Sequence, residues 1–320
     1  CRPIAHHRES SDTRFIDSLG LEKRVADLRN DEQIAKLVQG VDAVIHTAAW
    51  VDFRGDRFTQ FTGINTFGAI NMYKAARKAG VRRFVHVSTV AAVGARRRHN
   101  GRHVKREPAP ITEEYEFNLD HLRIPYILTK RAAETELLQL ARDGAPELVI
   151  VNPSIILAPS RTGDDRGKAM RWFSRPLMPD FSNWVNLVDI RDVAPAIVNA
   201  LTKGRPGERY ILGGDNITVR DLVLGVSVIL HKAPHLVTPP RPLIELTARL
   251  SHWYTTIIHR KKQVFYPDLV KLIDYDWVFS SAKARRELGY QCRSAHSSLQ
   301  DLLYNRFNDT HMKPAFEPAG

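Results

Sequence analysis

The chain has 320 residues, enough for one large α/β domain or two fused ones. With 43% hydrophobic and 26% charged residues it is excluded from the disordered classes, and its longest apolar stretches, such as Leu222 to Leu230, fall far short of the roughly 20 residues of a membrane span. The net charge is +12, and six Arg or Lys lie between Arg96 and Arg106, but no aromatic residues interleave them as a single-strand nucleic-acid platform requires, so a solvated loop is expected there and no nucleic acid.

Pro3 to His7 reads as a short strand. Asp31 to Gln39 predicts a helix with Ile34, Leu37 and Val38 on one face, and Ala43 to His46 a buried strand after the turn Gly40-Val41-Asp42. Thr59 to Lys78 is a long helix stopped by Gly80, and Phe84 to Ser88 is the next strand. Tyr126 to Arg142 is a helix ended by Asp143-Gly144, and Leu148 to Val151 is a strand halted at Pro153. Strands alternating with helices imply βαβ units and a parallel, doubly wound sheet. Beyond Pro153 the rhythm changes. Pro159 to Trp184 is irregular, Asn186 to Lys203 holds a strand and a helix opened near Asp192, Arg209 to Leu212 is a strand, and the chain from Thr218 is mostly helical. The expected division is a nucleotide-binding unit over 1–157 and 187–213, with a smaller helix-rich lobe over 158–186 and 214–320.

Tyr126 and Lys130 stand one helical turn apart, so a phenol and an ammonium can address one substrate. A free tyrosine titrates near pH 10, and a neighbouring cation brings it toward the working range of an acid-base catalyst. Ser88 and Thr89 end the strand upstream, where open α/β sheets place ligands. Their hydroxyls either orient a substrate oxygen or cap the following turn. His46 and His86 lie in apolar strands and read as core histidines, Asp192 reads as a helix cap, and Asp189 as either a ligand contact or a helix start. Two cysteines, Cys1 and Cys292, are too few for a disulfide framework, which points to a reducing, cytoplasmic setting; no metal-ligand spacing is present.

These landmarks, in this order, resemble the extended short-chain dehydrogenases/reductases, a group that includes nucleotide-sugar epimerases, dihydroflavonol reductases and 3β-hydroxysteroid dehydrogenases. The likeness covers nearly the whole chain. Ala26-Asp27-Leu28-Arg29 resembles the loop contacting adenine, Val44 to Ala49 the strand and cofactor loop that carry Thr47, Ala48 and Ala49, and Asn65-Thr66-Phe67-Gly68 the N-x-x-G of the next helix. Val151-Asn152-Pro153-Ser154 resembles the segment beside the nicotinamide. Pro206 to Gly214 and Phe279 to Lys283 look closest to the dihydroflavonol-reductase-like branch. The resemblance implies a Rossmann-type fold and hydride transfer between a nicotinamide cofactor and a carbonyl/hydroxyl pair. Tyr126 would be the acid/base, Lys130 would lower its pKa and bind ribose, and Thr89, with Ser88 beside it, would orient the substrate oxygen. A cofactor-retaining epimerase or dehydratase, and a non-catalytic cofactor sensor, are the alternatives.

The chain departs from that pattern at its start. The family opens with a strand and a glycine-rich turn that holds the pyrophosphate, and residue 1 falls where the second strand begins. The expectation is a fragment with two unpaired strand edges, weak cofactor binding and a marginal fold. An acidic residue ending the second strand would select NAD. His6-His7-Arg8 stands there instead, with Ser10-Ser11 after it, which favours NADP, unless Arg8 is only a loop cation. Ser251 to Tyr254 and Phe265-Tyr266 read as a pocket wall, a homodimer contact, a membrane contact or, most commonly, core.

Overall fold

The computed structural model describes residues 2–51, 58–98, 106–142, 144–159, 175, 177–181, 183–253 and 267–304. Four parallel strands form the central sheet, in the order Arg209–Leu212, Glu147–Pro153, Arg83–Val87, Ala43–His46. Glu147–Pro153 has neighbours on both sides and is buried along all but its first residue. That is why its sequence is a continuous apolar run rather than an alternating one.

Alternation shows instead in which face each residue serves. Phe84, Leu148 and Ile150 pack with Ile34, Leu37, Met72, Tyr73, Ala133 and Leu137 from the helices Asp31–Leu37, Gly68–Lys78 and Pro125–Ala141. Val85, Val149 and Val151 pack on the opposite side with Val193, Ala196 and Ala200 of the helix Ile190–Lys203 and with Ala284 and Leu288 of Ala282–Leu288. Helices on both faces of a parallel sheet make the fold doubly wound, as the alternating elements predict. Local chemistry sets the helix ends. Asn30 accepts from the Gln33 amide at 3.0 Å, Gly80 takes φ +75° past Lys78, and Pro125 opens the helix that carries Tyr126.

Among the described residues the strand Ile4–His7 pairs, in parallel, with Glu22–Val25 alone. This two-stranded piece and the four-stranded sheet face each other with open edges across a cleft of about 1420 Å³, lined from one side by Ile4 to His7 and from the other by Ala43 to His46. The pair of unpaired edges expected from the sequence is therefore present among the described residues. Glu22–Val25 itself escapes sequence reading, because Glu-Lys-Arg-Val has no apolar period.

Two other expectations are revised. The helix predicted over 59–78 is three pieces, with a π-helical turn at Thr62–Phe67 between Phe58–Phe61 and Gly68–Lys78. The widened turn brings Asn65 and Thr66, both buried, onto other elements; the Thr66 hydroxyl donates to Thr129 O at 2.9 Å. The cap of the helix Ile190–Lys203 is Asp189, whose carboxylate accepts from the Arg191 amide at 2.8 Å, while Asp192 pairs with Arg293. Asp189 thus takes the helix-start role. Beyond the central sheet, Trp184–Asp189 lies between Ile155–Leu157 and Asp215–Thr218, and the helices Val219–Ile229 and Ala295–Leu303 bury Val226, Ile229, Leu299 and Leu303 together. The described end of the basic run is structural: Arg96–Arg97 pairs with Tyr275–Asp276, and Arg98 donates to Phe181 O at 2.8 Å. Residues 99–105 of that run, the segment Tyr254 to Tyr266 and most of Pro159 to Trp184 lie outside the described residues.

Candidate active site

The strand Arg83–Val87 delivers Ser88 and Thr89 at its carboxyl end. Thr89 caps a short 3₁₀ turn, Val90–Ala92, with its hydroxyl oxygen accepting from the Ala91 amide at 3.2 Å. A hydroxyl has one hydrogen to donate, and the capping bond leaves it free for the Tyr126 phenol, to which Thr89 is hydrogen-bonded. Of the two roles weighed for this hydroxyl, the capping one is present, and the same group also meets the Tyr126 phenol. Burial pushes the Tyr126 phenol above its ordinary value, and Thr89 pulls it back. The ring packs beside Leu119, Ile124, Ile127 and Tyr275.

Lys130 follows one turn along the same helix and is only 2% exposed. Its ammonium donates to Val87 O at 2.7 Å, the last carbonyl of the strand that bears Thr89. Burial lowers its pKa to about 8, with Glu134 opposing the shift. Ser88 is buried, with its hydroxyl oxygen free of partners, and its amide donates to Val151 O. Tyr126, Lys130, Thr89 and Ser88 therefore meet at one strand end.

Arg8, Asp27, Leu28, Thr47, Ala48 and Ala49 line the cleft. Asp27 binds Arg29 through both carboxylate oxygens, which holds its pKa at about 2. Arg8 and Arg29 also share a shallow hollow with Glu9, Ser10 and Gln33. Leu28 lies where a side chain at Gly68 would sit, 3.2 Å from the position of a Cβ there, so the glycine of Asn65-Thr66-Phe67-Gly68 permits a close helix–loop approach. Asn65 links the two halves of the site. Its amide accepts from Trp50 N at 2.7 Å and donates to Trp50 O at 3.0 Å and Thr129 Oγ1 at 3.2 Å. It ties the loop after Ala43–His46 to the helix of Tyr126.

The segment expected beside the nicotinamide is bound otherwise through its side chains. Asn152 is fully buried and donates to Thr89 O at 2.9 Å and to Glu134 Oε1 at 2.6 Å. Pro153 is buried in the sheet opposite Leu212. Ser154 donates to Asn186 O at 2.6 Å. Any contact of Asn152 with a ligand would be through backbone. His46 and His86 are buried, stacked with ring centroids 5.6 Å apart, and burial keeps both uncharged, His46 at about 3. Glu134 and Arg209 were not singled out by sequence; the signal was the i, i+4, i+8 series Tyr126, Lys130, Glu134. Among the described residues no cluster of His, Cys, Asp or Glu is placed to hold a metal, and no helix is long and apolar enough to cross a membrane.

Residues 4–213 match the NAD dependent epimerase/dehydratase family. The chain belongs to that family. Among its relatives, "sterol demethylase protein B" of Methylococcus capsulatus is 30% identical over 92% of this chain and 88% of that protein. A "putative dihydroflavonol 4-reductase" of Synechocystis is 30% identical over 96% and 88%. A crystal structure of gox2253 is similar with a TM-score of 0.74 and 28% identity, covering 95% of this chain and 90% of that one. The family match bears out the resemblance seen in the sequence, and with it the Rossmann-type fold.

Proposed function

We propose that the chain is a nicotinamide-dependent oxidoreductase that interconverts a carbonyl and a hydroxyl, with Tyr126, Lys130 and Thr89 as its catalytic residues. The observation that carries this reading is the Thr89–Tyr126 hydrogen bond at the carboxyl end of the central strand, with the Lys130 ammonium on the strand's last carbonyl. The cofactor of this family fits the residues present at two places. Arg8, Arg29 and the cleft wall at Asp27 and Leu28 would hold its adenosine end, and the loop Thr47 to Ala49, with Lys130, its nicotinamide end. No glycine-rich turn lies among this chain's residues to hold the pyrophosphate. The Arg8 guanidinium at the cleft wall supports NADP over NAD, Arg29 being paired with Asp27.

When bound, the nicotinamide supplies or accepts the hydride. Tyr126 gives its phenolic proton to the substrate oxygen in reduction and takes it back in oxidation. Without substrate Thr89 donates its one hydrogen to the phenol, favouring the phenolate; with substrate bound that hydrogen would turn to the substrate oxygen, with Ser88 beside it. Lys130 places a positive charge under the same site. The relatives' names, among them "3-beta-hydroxysteroid dehydrogenase" of Mycolicibacterium neoaurum at 25% identity, support 3-ketosteroids and dihydroflavonols as first substrates to try.

The test follows nicotinamide absorbance with NADPH and NADH against that ketone panel. The expected result is stoichiometric loss of absorbance with at least one ketone, faster with NADPH, and a fall of roughly 10²- to 10⁴-fold in Tyr126→Phe. Turnover without net absorbance change would assign an epimerase instead. An unaffected Tyr126→Phe would remove the phenol from the mechanism.

A further inference from the structure

Behind Thr89 lies a line of buried polar groups that the proposed reaction does not itself use. The two hydrogens of the Asn152 amide go to Thr89 O at 2.9 Å and Glu134 Oε1 at 2.6 Å, and both Asn152 and Glu134 are fully buried. The second oxygen of Glu134 lies 3.1 Å from the Arg209 guanidinium and 4.0 Å from that of Arg131. Only the nitrogen end of the Asn152 amide suits two acceptors, so the side chain has one orientation. Its own oxygen is buried and takes no bond, an arrangement that costs stability and is not what packing alone would select.

A buried ion pair is weak evidence for stability, because desolvating both charges offsets their attraction. It is better suited to holding geometry. Glu134 stands two turns from Tyr126 on one helix, Arg209 begins the strand beside Glu147–Pro153, and Asn152 comes from that strand. The three therefore fix the helix of Tyr126, the central strands and the Thr89 backbone to one another. Thr89 is where this matters, since the 3₁₀ turn after it leaves its hydroxyl one bond from the phenol.

We propose that Asn152, held by buried Glu134 in its ion pair with half-buried Arg209, is a positioning residue that keeps Thr89 against the Tyr126 phenol. This rests on the Thr89–Tyr126–Lys130 reading above. Asn152 touches neither substrate nor cofactor through its side chain, and acts through the Thr89 carbonyl.

The test is a titration of Tyr126 in the full chain without cofactor. Incorporated 3-fluorotyrosine lowers the phenol pKa values, and ¹⁹F NMR reads each tyrosine separately, with Tyr126→Phe assigning the signal. Thr89→Val should raise the Tyr126 pKa, because the donor is gone. Asn152→Leu, which cuts both amide bonds at similar volume, should raise it in the same direction by roughly half a unit or more. The double variant should match Thr89→Val alone, the non-additivity expected when one residue works through the other. If Asn152→Leu fails to fold, Asn152→Ala cuts the same bonds without added bulk and is read identically. A purely structural Asn152 would lower the melting temperature and leave the Tyr126 titration in place; with Thr89→Val still effective, that result overturns the inference alone. A Thr89→Val variant with an unmoved Tyr126 overturns the site reading and the inference with it.

Discussion

Lys130 shows at the level of one residue what holding a charge in the candidate site costs. Burial holds its ammonium at about 8, against an ordinary value of 10.5. Below about pH 8 the folded and unfolded chains both carry the proton, and the full cost of burying the charge, on the order of 3 kcal/mol, is present. As pH rises from about 8 toward 10.5 the unfolded chain holds more protons than the folded one, so stability rises. Comparison with Lys130→Met removes the contribution of other titrating groups. Urea unfolding at pH 7 and pH 10 should show the wild type gaining about 2 kcal/mol relative to Lys130→Met. An equal difference at both pH values would mean that the ammonium is not held in a desolvated site. The same burial explains why the sequence told less than the structure at this residue. The spacing of Tyr126 and Lys130 predicts a shared face, but not that the ammonium bonds the strand carbonyl or that the threonine is the group that pulls the phenol down.

At the scale of elements, the junction between the strand Arg209–Leu212 and the strand Asp215–Thr218 rests on two glycines with unequal demands. A Cβ on Gly214 would lie 2.1 Å from the Leu187 carbonyl oxygen, which belongs to the paired strand and cannot move without the sheet. A Cβ on Gly213 would meet the Asn186 side chain at 2.8 Å, an atom with more freedom to shift, although Asn186 also accepts from Gly214 N at 2.9 Å. Gly214→Ala is expected to cost about 3 kcal/mol and Gly213→Ala less, measured by urea or thermal unfolding; the reverse order would place the crowding elsewhere. Sequence reading found this Gly-Gly pair as a landmark without its cause, which is a backbone approach between strands far apart in the chain. Elements with strong periods were legible: Asp31–Leu37, Arg83–Val87, Pro125–Ala141 and Glu147–Pro153 lie where they were read. Those that were missed, such as Glu22–Val25 and Asp215–Thr218, are short and polar, and exist because a neighbour offers hydrogen bonds. The π-helical turn was missed because it is set by Asn65 and Thr66 reaching across to Trp50 and Thr129, contacts with no local signature.

For the molecule as a whole, the split sheet divides the backbone into two classes of stability. Arg83–Val87 and Glu147–Pro153 each have partners on both sides and a helix layer on each face. Ile4–His7 and Ala43–His46 each have one partner, and their other edges face the cleft. Ile45 and Val25 are left 36% and 54% exposed there and in the adjoining pair, so little apolar burial holds the two-stranded piece to the rest. An amide exchanges with solvent when its hydrogen bond opens, and segments with few buried contacts open at far lower free energy than a core strand. Hydrogen exchange should therefore separate the sheet. Amides of Ile4–His7 and Glu22–Val25 should exchange through local opening at a small fraction of the global stability, while those of Arg83–Val87 and Glu147–Pro153 should need near-global unfolding. A molecule that fills the cleft by strand pairing would protect both open edges together, whereas a ligand bound only at the carboxyl ends of the strands, near Thr47 to Ala49, would slow exchange at that loop and leave Ile4–His7 fast. Uniform protection across all six strands in the ligand-free chain would show that the two edges are bridged in solution, and that the division drawn from their geometry does not govern how the chain opens.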